Sequence, residues 1–405
     1  MNKPDRTNET RGLNKLSRTF EVFFNSEKSS GVLLIVCTLI SLLLTNAWLG
    51  QTYIAFWQQN IGGLSLELWI NDALMAIFFL LIGLELEREL YNGELSNFKN
   101  ALLPIVAAVG GTLAPAAIHF ALNRGLPSQA GIGIPMATDI AFALGALALL
   151  GSRIPSALKV FVVAFAVIDD LCAIIIIALF YTAQVKFIYL TAAIGIWALL
   201  LFINRRLRVM HLLPYLIGGV GMWTCMLLSG VHATIAGVML AFAIPFSAKD
   251  EDSDSPSHRL EHALHKPVAF LILPIFALAN TAILIGGDWM DQLGSHNSLG
   301  IIGGLVLGKT LGIFCFCALA VASRICNLPA GLQWSHIIGA AMLGGIGFTM
   351  SIFITNLAFA GQADLINASK MAIMAGSLAA GILGLAWLRI FCQPNNETAP
   401  STEAT

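Results

Sequence analysis

Charge is what this chain is short of. Of its 405 residues, 11% are Asp, Glu, Lys or Arg, against about 25% in an average soluble domain. A water-facing surface needs such residues, so few soluble folds fit this composition. The 22 basic and 23 acidic residues nearly cancel, to a net charge of −1. A basic face for nucleic acid is therefore absent. The seven cysteines, Cys37, Cys172, Cys225, Cys315, Cys317, Cys326 and Cys392, fall mostly in apolar runs. Their spacing is that of reduced structural thiols, not of a disulfide or zinc framework. No phosphate-binding glycine loop occurs, so no nucleotide and no cofactor is expected. Residues 1–30 are polar and carry no cleavable leader.

What the chain has instead is apolar length. Hydrophobic residues make up 57% and mean hydropathy is +0.80. Runs of 18 or more apolar residues recur, the mark of membrane-spanning helices. We read twelve spans, at roughly 31–49, 68–89, 101–122, 129–150, 156–181, 186–203, 210–227, 229–246, 267–286, 299–323, 335–358 and 368–390. The tails 1–30 and 393–405 read as cytoplasmic and polar, flanking one membrane domain over 31–392. The stretch 247–258, with Asp250, Glu251, Asp252 and Asp254, reads as a solvated acidic loop. With both termini inside, 18 basic residues fall on the cytoplasmic side and 3 on the other; Lys309, within a span, completes the 22. That asymmetry is the positive-inside pattern and supports an even number of spans.

Two spans are interrupted. The fourth contains Gly131-Ile132-Gly133-Ile134-Pro135-Met136-Ala137-Thr138-Asp139, and the eleventh contains Gly344-Gly345-Ile346-Gly347-Phe348-Thr349. Proline removes a donor and glycine loosens the helix. Unwound backbone at membrane depth is tolerated only inside protein or beside water. Interrupted segments at matching places in two halves point to a transporter's binding site. Here they are the middle members of spans 3–5 and 10–12, which run in opposite directions, so an inverted repeat is expected.

Ionisable residues sit near the centres of three spans. They are Asp139, the adjacent Asp169 and Asp170, and Lys309. A carboxylate at the bilayer centre costs about 2.5–3.5 kcal/mol on insertion scales. Two neighbouring acids also repel and do not easily ionise together. A plain structural ion pair explains Lys309 and one aspartate but leaves another acid over. Hard cations prefer oxygen ligands, and Asp169, Asp170, the Thr138 hydroxyl and freed carbonyls supply them. The lysine can carry a proton while the acids are ionised and release it when a cation arrives. Asp139 is placed to neutralise the positive ends of half-helices, and Lys309 the negative ends. An intramembrane aspartyl protease needs two acids facing each other from different helices, whereas adjacent residues on one helix diverge by about 100°. A channel or an organic-anion symporter is a third reading, less suited to broken helices that carry both acid and base.

A second group lies near the cytoplasmic ends. Glu85 and Glu89 are one turn apart with Arg88 between them, and Glu261, His262 and His265 precede the ninth span. Acids at a mouth attract cations, and histidine titrates near neutral pH. An ordinary solvated helix end is the alternative. His232, alone near the outer end of span eight, reads first as a packing residue, and Asp72 as a local cap or partner.

Together these stretches resemble the NhaA family of bacterial sodium/proton antiporters. The matching strings are WINDALMAIFFLLIGLELERE from Trp69 to Glu89, PMATDIAFALGALALLGSR from Pro135 to Arg153, and Ala164 to Tyr181 around Ile168-Asp169-Asp170. Further matches are SGVHATIAG from Ser229 to Gly237, RLEHALH from Arg259 to His265, Gly308-Lys309, and GIGFTMSIFI from Gly345 to Ile354. They span most of residues 69–390 in order. The resemblance implies an all-α integral membrane fold of twelve transmembrane helices, with inverted repeats and two interrupted, crossing helices. It implies electrogenic exchange of sodium or lithium for protons by alternating access across the cytoplasmic (inner) membrane, serving sodium and pH homeostasis. Asp169 and Asp170 would bind cation and protons, and Asp139 and Lys309 would compensate helix dipoles. Glu85, Glu89, Glu261, His262, His265 and His232 match positions tied to pH sensing and cation entry.

The chain departs from that pattern in places. Residues 50–66 lack the basic second strand of the external hairpin that pairs subunits, which weakens the expectation of a homodimer. Glu87 stands where a basic residue is common and makes the expected entrance more acidic. Thr310 follows Lys309 where proline is common. The N-terminal extension, with six basic residues, is longer than usual.

Overall fold

The computed structural model describes residues 29–47, 49–182, 185–247 and 255–392. Both polar tails up to residue 28 and from 393, and the acidic stretch 248–254, lie outside the described residues. The rest is a helical membrane protein. In chain order the spans are α1 (Ser29–Asn46), α2 (Leu66–Tyr91), α3 (Asn100–Asn123), the bent pair α4 (Pro127–Met136 with Ile140–Leu149), α5 (Ser156–Phe180), α6 (Phe187–Leu207) and α7 (Leu212–Ser229). A short α8 (Ile235–Ala241) follows. Then come α9 (Pro256–Asn280), α10 (His296–Ala322), the bent pair α11 (Trp334–Gly344 with Phe348–Ala358) and α12 (Ala363–Phe391).

Among the described residues, eleven of the twelve expected segments are thus long and apolar enough to cross a membrane, each bent pair counted as one. The eighth falls short. α8 has 7 residues, about 10 Å at 1.5 Å per residue, a third of a bilayer core of about 30 Å. Its neighbours are turns: Gly230 caps α7 at φ 86°, a left-handed conformation that costs glycine nothing. α8 is held instead by burial against α2, where Gly237 comes so close to the Ala76 carbonyl that no Cβ fits.

α5 runs unbroken through the centre, with 67% of its most apolar window buried, whereas α6 has 11% and faces the hydrocarbon. Around α5 the helices approach through small residues, as membrane helices commonly do. α3 and α10 touch at Gly110 and Gly312, and a Cβ on either would collide with the other's carbonyl. That close approach brings Lys309 of α10 to α5. Between α1 and α2 lie a helix, Gly50–Trp57, and a stub of hairpin that pairs Asn60–Ile61 with Leu64–Ser65. Its two-residue turn is Gly62-Gly63, both at positive φ (62° and 92°), the combination a tight hairpin turn selects.

Candidate functional site

The two interruptions meet. α4 bends by 44° and α11 by 43°. The first half of α4 is a 3₁₀ helix of 10 residues, long for that type, in a segment whose Gly131, Gly133 and Pro135 are poor α-helix formers. Backbone freed at each break is satisfied by the other. The Asp139 N–H donates to the Ile346 carbonyl at 2.6 Å, and the Thr138 hydroxyl donates to the Gly344 carbonyl at 2.8 Å. Ser351 Oγ donates to the Ile134 carbonyl at 2.7 Å. Each unwound stretch is thereby paired inside the protein, as burial at membrane depth requires.

Asp139 caps both second halves. Its Oδ1 accepts from the Phe142 N–H at 3.2 Å, the start of one half-helix. Its Oδ2 accepts from the Thr349 N–H at 3.0 Å and from the Thr349 hydroxyl, at the start of the other. One carboxylate at two helix N-termini is a favourable arrangement, since each N-terminus carries roughly half a positive charge.

Lys309 pairs with Asp169. Its Nζ donates to Asp169 Oδ2 at 2.7 Å and Oδ1 at 2.9 Å, and both side chains are fully buried. Nζ also lies 5.6 Å from the centre of the Phe165 ring. Thr112 of α3 donates to Asp169 Oδ1 at 3.4 Å. Asp170, the next residue, is 1% exposed, and neither of its oxygens has a hydrogen-bond partner among the described residues. The adjacent acids thus have opposite surroundings because the helix turns about 100° between them.

Asp170 and Asp139 line a narrow cavity of about 60 Å³, together with Ser30, Phe78, Thr349 and Met350. It is large enough for a few waters. Glu85 and His265 also line it, and they form a pair with His265 Nε2 at 3.4 Å from Glu85 Oε1. Beside them Arg88 bridges Glu261 at 3.2 Å and Glu89 at 3.4 Å. Glu85, Glu89, Glu261 and His265 thus form one group, with His262 exposed at its edge. Glu87, two residues from Glu85 and from Glu89, takes a different partner on the same neighbouring helix: it is 6% exposed and accepts from Ser257 Oγ of α9 at 3.3 Å, one turn from Glu261. His232 is separate: its Nε2–H donates to the Tyr181 carbonyl at 2.8 Å. Tyr181 in turn donates to the Ala130 carbonyl and accepts from the Gly133 N–H. The Asp72 carbonyl accepts from Trp223 Nε1 at 3.2 Å.

One polar group was not singled out from sequence. Asn280 Nδ2 donates to Asn71 Oδ1 at 2.8 Å, and Asn356 Nδ2 donates to Asn280 Oδ1 at 2.5 Å. Three asparagines more than seventy residues apart carry no periodic signal; only an asparagine in an apolar span hints at each.

Broken helices crossing at a buried charged layer define a class, the multi-pass helical transporters. The family described as Na+/H+ antiporter 1 matches residues 21–388. The chain belongs to that family. It is 66% identical over 383 residues, 95% of this chain and 98% of the relative, to "Na(+)/H(+) antiporter NhaA" of Dechloromonas aromatica (strain RCB). It is 58% identical over 376 residues, 93% and 96% of the two chains, to a protein of the same name from Cytophaga hutchinsonii. Against "Na(+)/H(+) antiporter NhaA 1" of Flavobacterium johnsoniae it is 56% identical over 384 residues, 95% and 100%.

Proposed function

We propose that this protein exchanges sodium for protons across the bacterial cytoplasmic membrane, with Asp170 as the group at which the two ions compete. The observation that carries this is Asp170 itself, a fully buried carboxyl with no hydrogen-bond partner among the described residues, opening on a cavity that leads to an acidic group. A bare carboxylate in such a place is costly. Either a proton or a cation removes that cost, and one excludes the other.

The Asp169–Lys309 pair sets the balance of charge. A cation entering beside Asp170 displaces the proton there. Asp169 is then drawn to the cation as a second oxygen ligand, and Lys309, no longer needed as counter-ion, releases a proton as well. One proton leaves Asp170 and a second leaves Lys309 for each cation taken up. Exchange is therefore electrogenic, and an inward proton gradient drives sodium out. Lithium, smaller and harder, suits the same oxygens. Thr138 supplies a further oxygen at the crossing, and Asp139 holds the half-helices around the site. Glu85, Glu89, Glu261, His262 and His265 gather cations at the mouth and make entry pH-dependent; His232 adjusts the opposite end through Tyr181. Both termini lie in the cytoplasm. Sodium, lithium, protons and the lipid bilayer are the only partners the reading requires.

The test is Asp170→Asn in reconstituted vesicles with an imposed pH gradient. Sodium-driven proton flux falls to the level of protein-free vesicles if the assignment is right. Exchange at the unsubstituted rate refutes it.

A further inference from the structure

The cavity stops short of the far side of the membrane, and what closes it there is specific. Its inner end is lined by Phe78 of α2, Leu273 of α9 and Thr349 of α11. Seven residues from each of these, on the same three helices, stand Asn71, Asn280 and Asn356. On α9 and α11 seven residues are close to two full turns, so Asn280 and Asn356 lie about 10 Å further along on nearly the same helix face; on α2 the wider turns of the π-helical stretch Trp69–Leu74 offset Asn71 around the axis. For α2 the step runs backward in sequence and for α9 and α11 forward, as a common direction across the membrane requires. The three side chains join in one chain of hydrogen bonds, with Asn280 in the middle. Asn280 is 0% exposed and Asn71 6% exposed, and Asn280 Nδ2 also donates to the Phe276 carbonyl at 3.0 Å. The rings of Phe79 of α2 and Phe353 of α11, 1% and 0% exposed, pack at 5.5 Å.

Packing alone does not call for this arrangement. Three amides in an apolar layer lose hydration, and leucines would close the gap at lower cost. What amides add is a join that separates into hydrated or ion-coordinating groups. Their oxygens suit a hard cation passing between the helices. Asn71 also sits in a π-helical stretch, Trp69–Leu74, a geometry that recurs where helices serve function.

We propose that Asn71, Asn280 and Asn356 form the closed far-side gate of the transport path. The gate parts when Asp170 is exposed to that side, and the separated amide oxygens then line the cation's route. This rests on the exchange proposed above. The asparagines are positioning residues: they set which side has access and do not bind the ion at Asp170.

Two measurements test it in protein already shown to exchange. The first is Asn280→Ala, with Asn356→Ala as a milder change that removes one link. Apparent sodium KM is measured separately from each side of oriented vesicles. Weakening the gate favours the far-side-open form, so KM rises from the cavity side and falls from the far side. The ratio of the two shifts about tenfold, the scale of one or two hydrogen bonds. A merely structural role lowers the maximal rate and leaves the ratio unchanged, and that result overturns the proposal. The second is Asn280→Cys with Asn356→Cys, in a background whose seven native cysteines are replaced. A short reducible bis-thiol reagent then bridges the pair. Exchange stops on bridging and returns on reduction; exchange that continues in the bridged protein overturns the gate. Neither failure touches the Asp170 assignment, which falls only if the unsubstituted protein does not exchange or Asp170→Asn still does.

Discussion

Lys309 gives both of its short contacts to Asp169 and none to Asp170, although the two acids are consecutive. The pair is fully buried. Removing one member of such a pair strands the other as an uncompensated charge, at about 3–5 kcal/mol, whereas removing both is often neutral. Lys309→Ala and Asp169→Asn singly should therefore lower the Tm in detergent sharply. Lys309→Met combined with Asp169→Asn should regain most of that loss without regaining electrogenic exchange. Thermal unfolding and vesicle flux on the three variants check it.

Competition at one carboxyl has a fixed sign in pH. Acidification favours the protonated Asp170, so apparent sodium affinity weakens as pH falls. With one competing proton the sodium KM rises roughly tenfold per pH unit on the acid side, and more steeply if Lys309 also titrates. Sodium titrations at several pH values, each with maximal rate fitted independently, give the slope. A KM that is flat while the rate changes contradicts direct competition.

Asp139 caps two helices at once. Replacing a capping aspartate by alanine costs about 0.5–2 kcal/mol per helix end, so Asp139→Ala should destabilise by about 1–4 kcal/mol. Asp139→Asn keeps one acceptor oxygen and should lose less than half of that. The order of Tm values, parent above asparagine above alanine, is the check.

Glu85 and Glu87 differ by two positions and should differ in effect. Glu85→Gln removes charge beside the cavity and should raise the sodium KM several-fold at low ionic strength, with the effect shrinking in high salt. Glu87→Gln faces Ser257 instead and should leave KM within about twofold. Flux at two ionic strengths separates them.

Much of this was readable from the chain. Charges in apolar runs, glycine and proline at two breaks, and long hydrophobic segments each have a direct physical cost that narrows their meaning. Which of the two adjacent acids Lys309 meets was not legible, because partner choice depends on the 100° between neighbouring side chains and on how closely α3 and α10 approach. Glu87, read as making the entrance more acidic, meets Ser257 of α9, a contact that its sequence position did not reveal. The segment around Ile235–Ala241 has the hydropathy of a span but forms only a short helix; hydropathy records burial, and burial against α2 supplies as much of it as lipid does. The asparagine chain joins residues that no spacing connects.

The carboxylate of Asp139 bonds to both halves of the crossing, and Thr138 and Ser351 add further stitches. Of these bonds, those of Asp139 Oδ2 to Thr349, of Thr138 to Gly344 and of Ser351 to Ile134 join one bent segment to the other, so the two move together. In the exchange proposed above, a change of access would then displace α4 and α11 as one fastened unit.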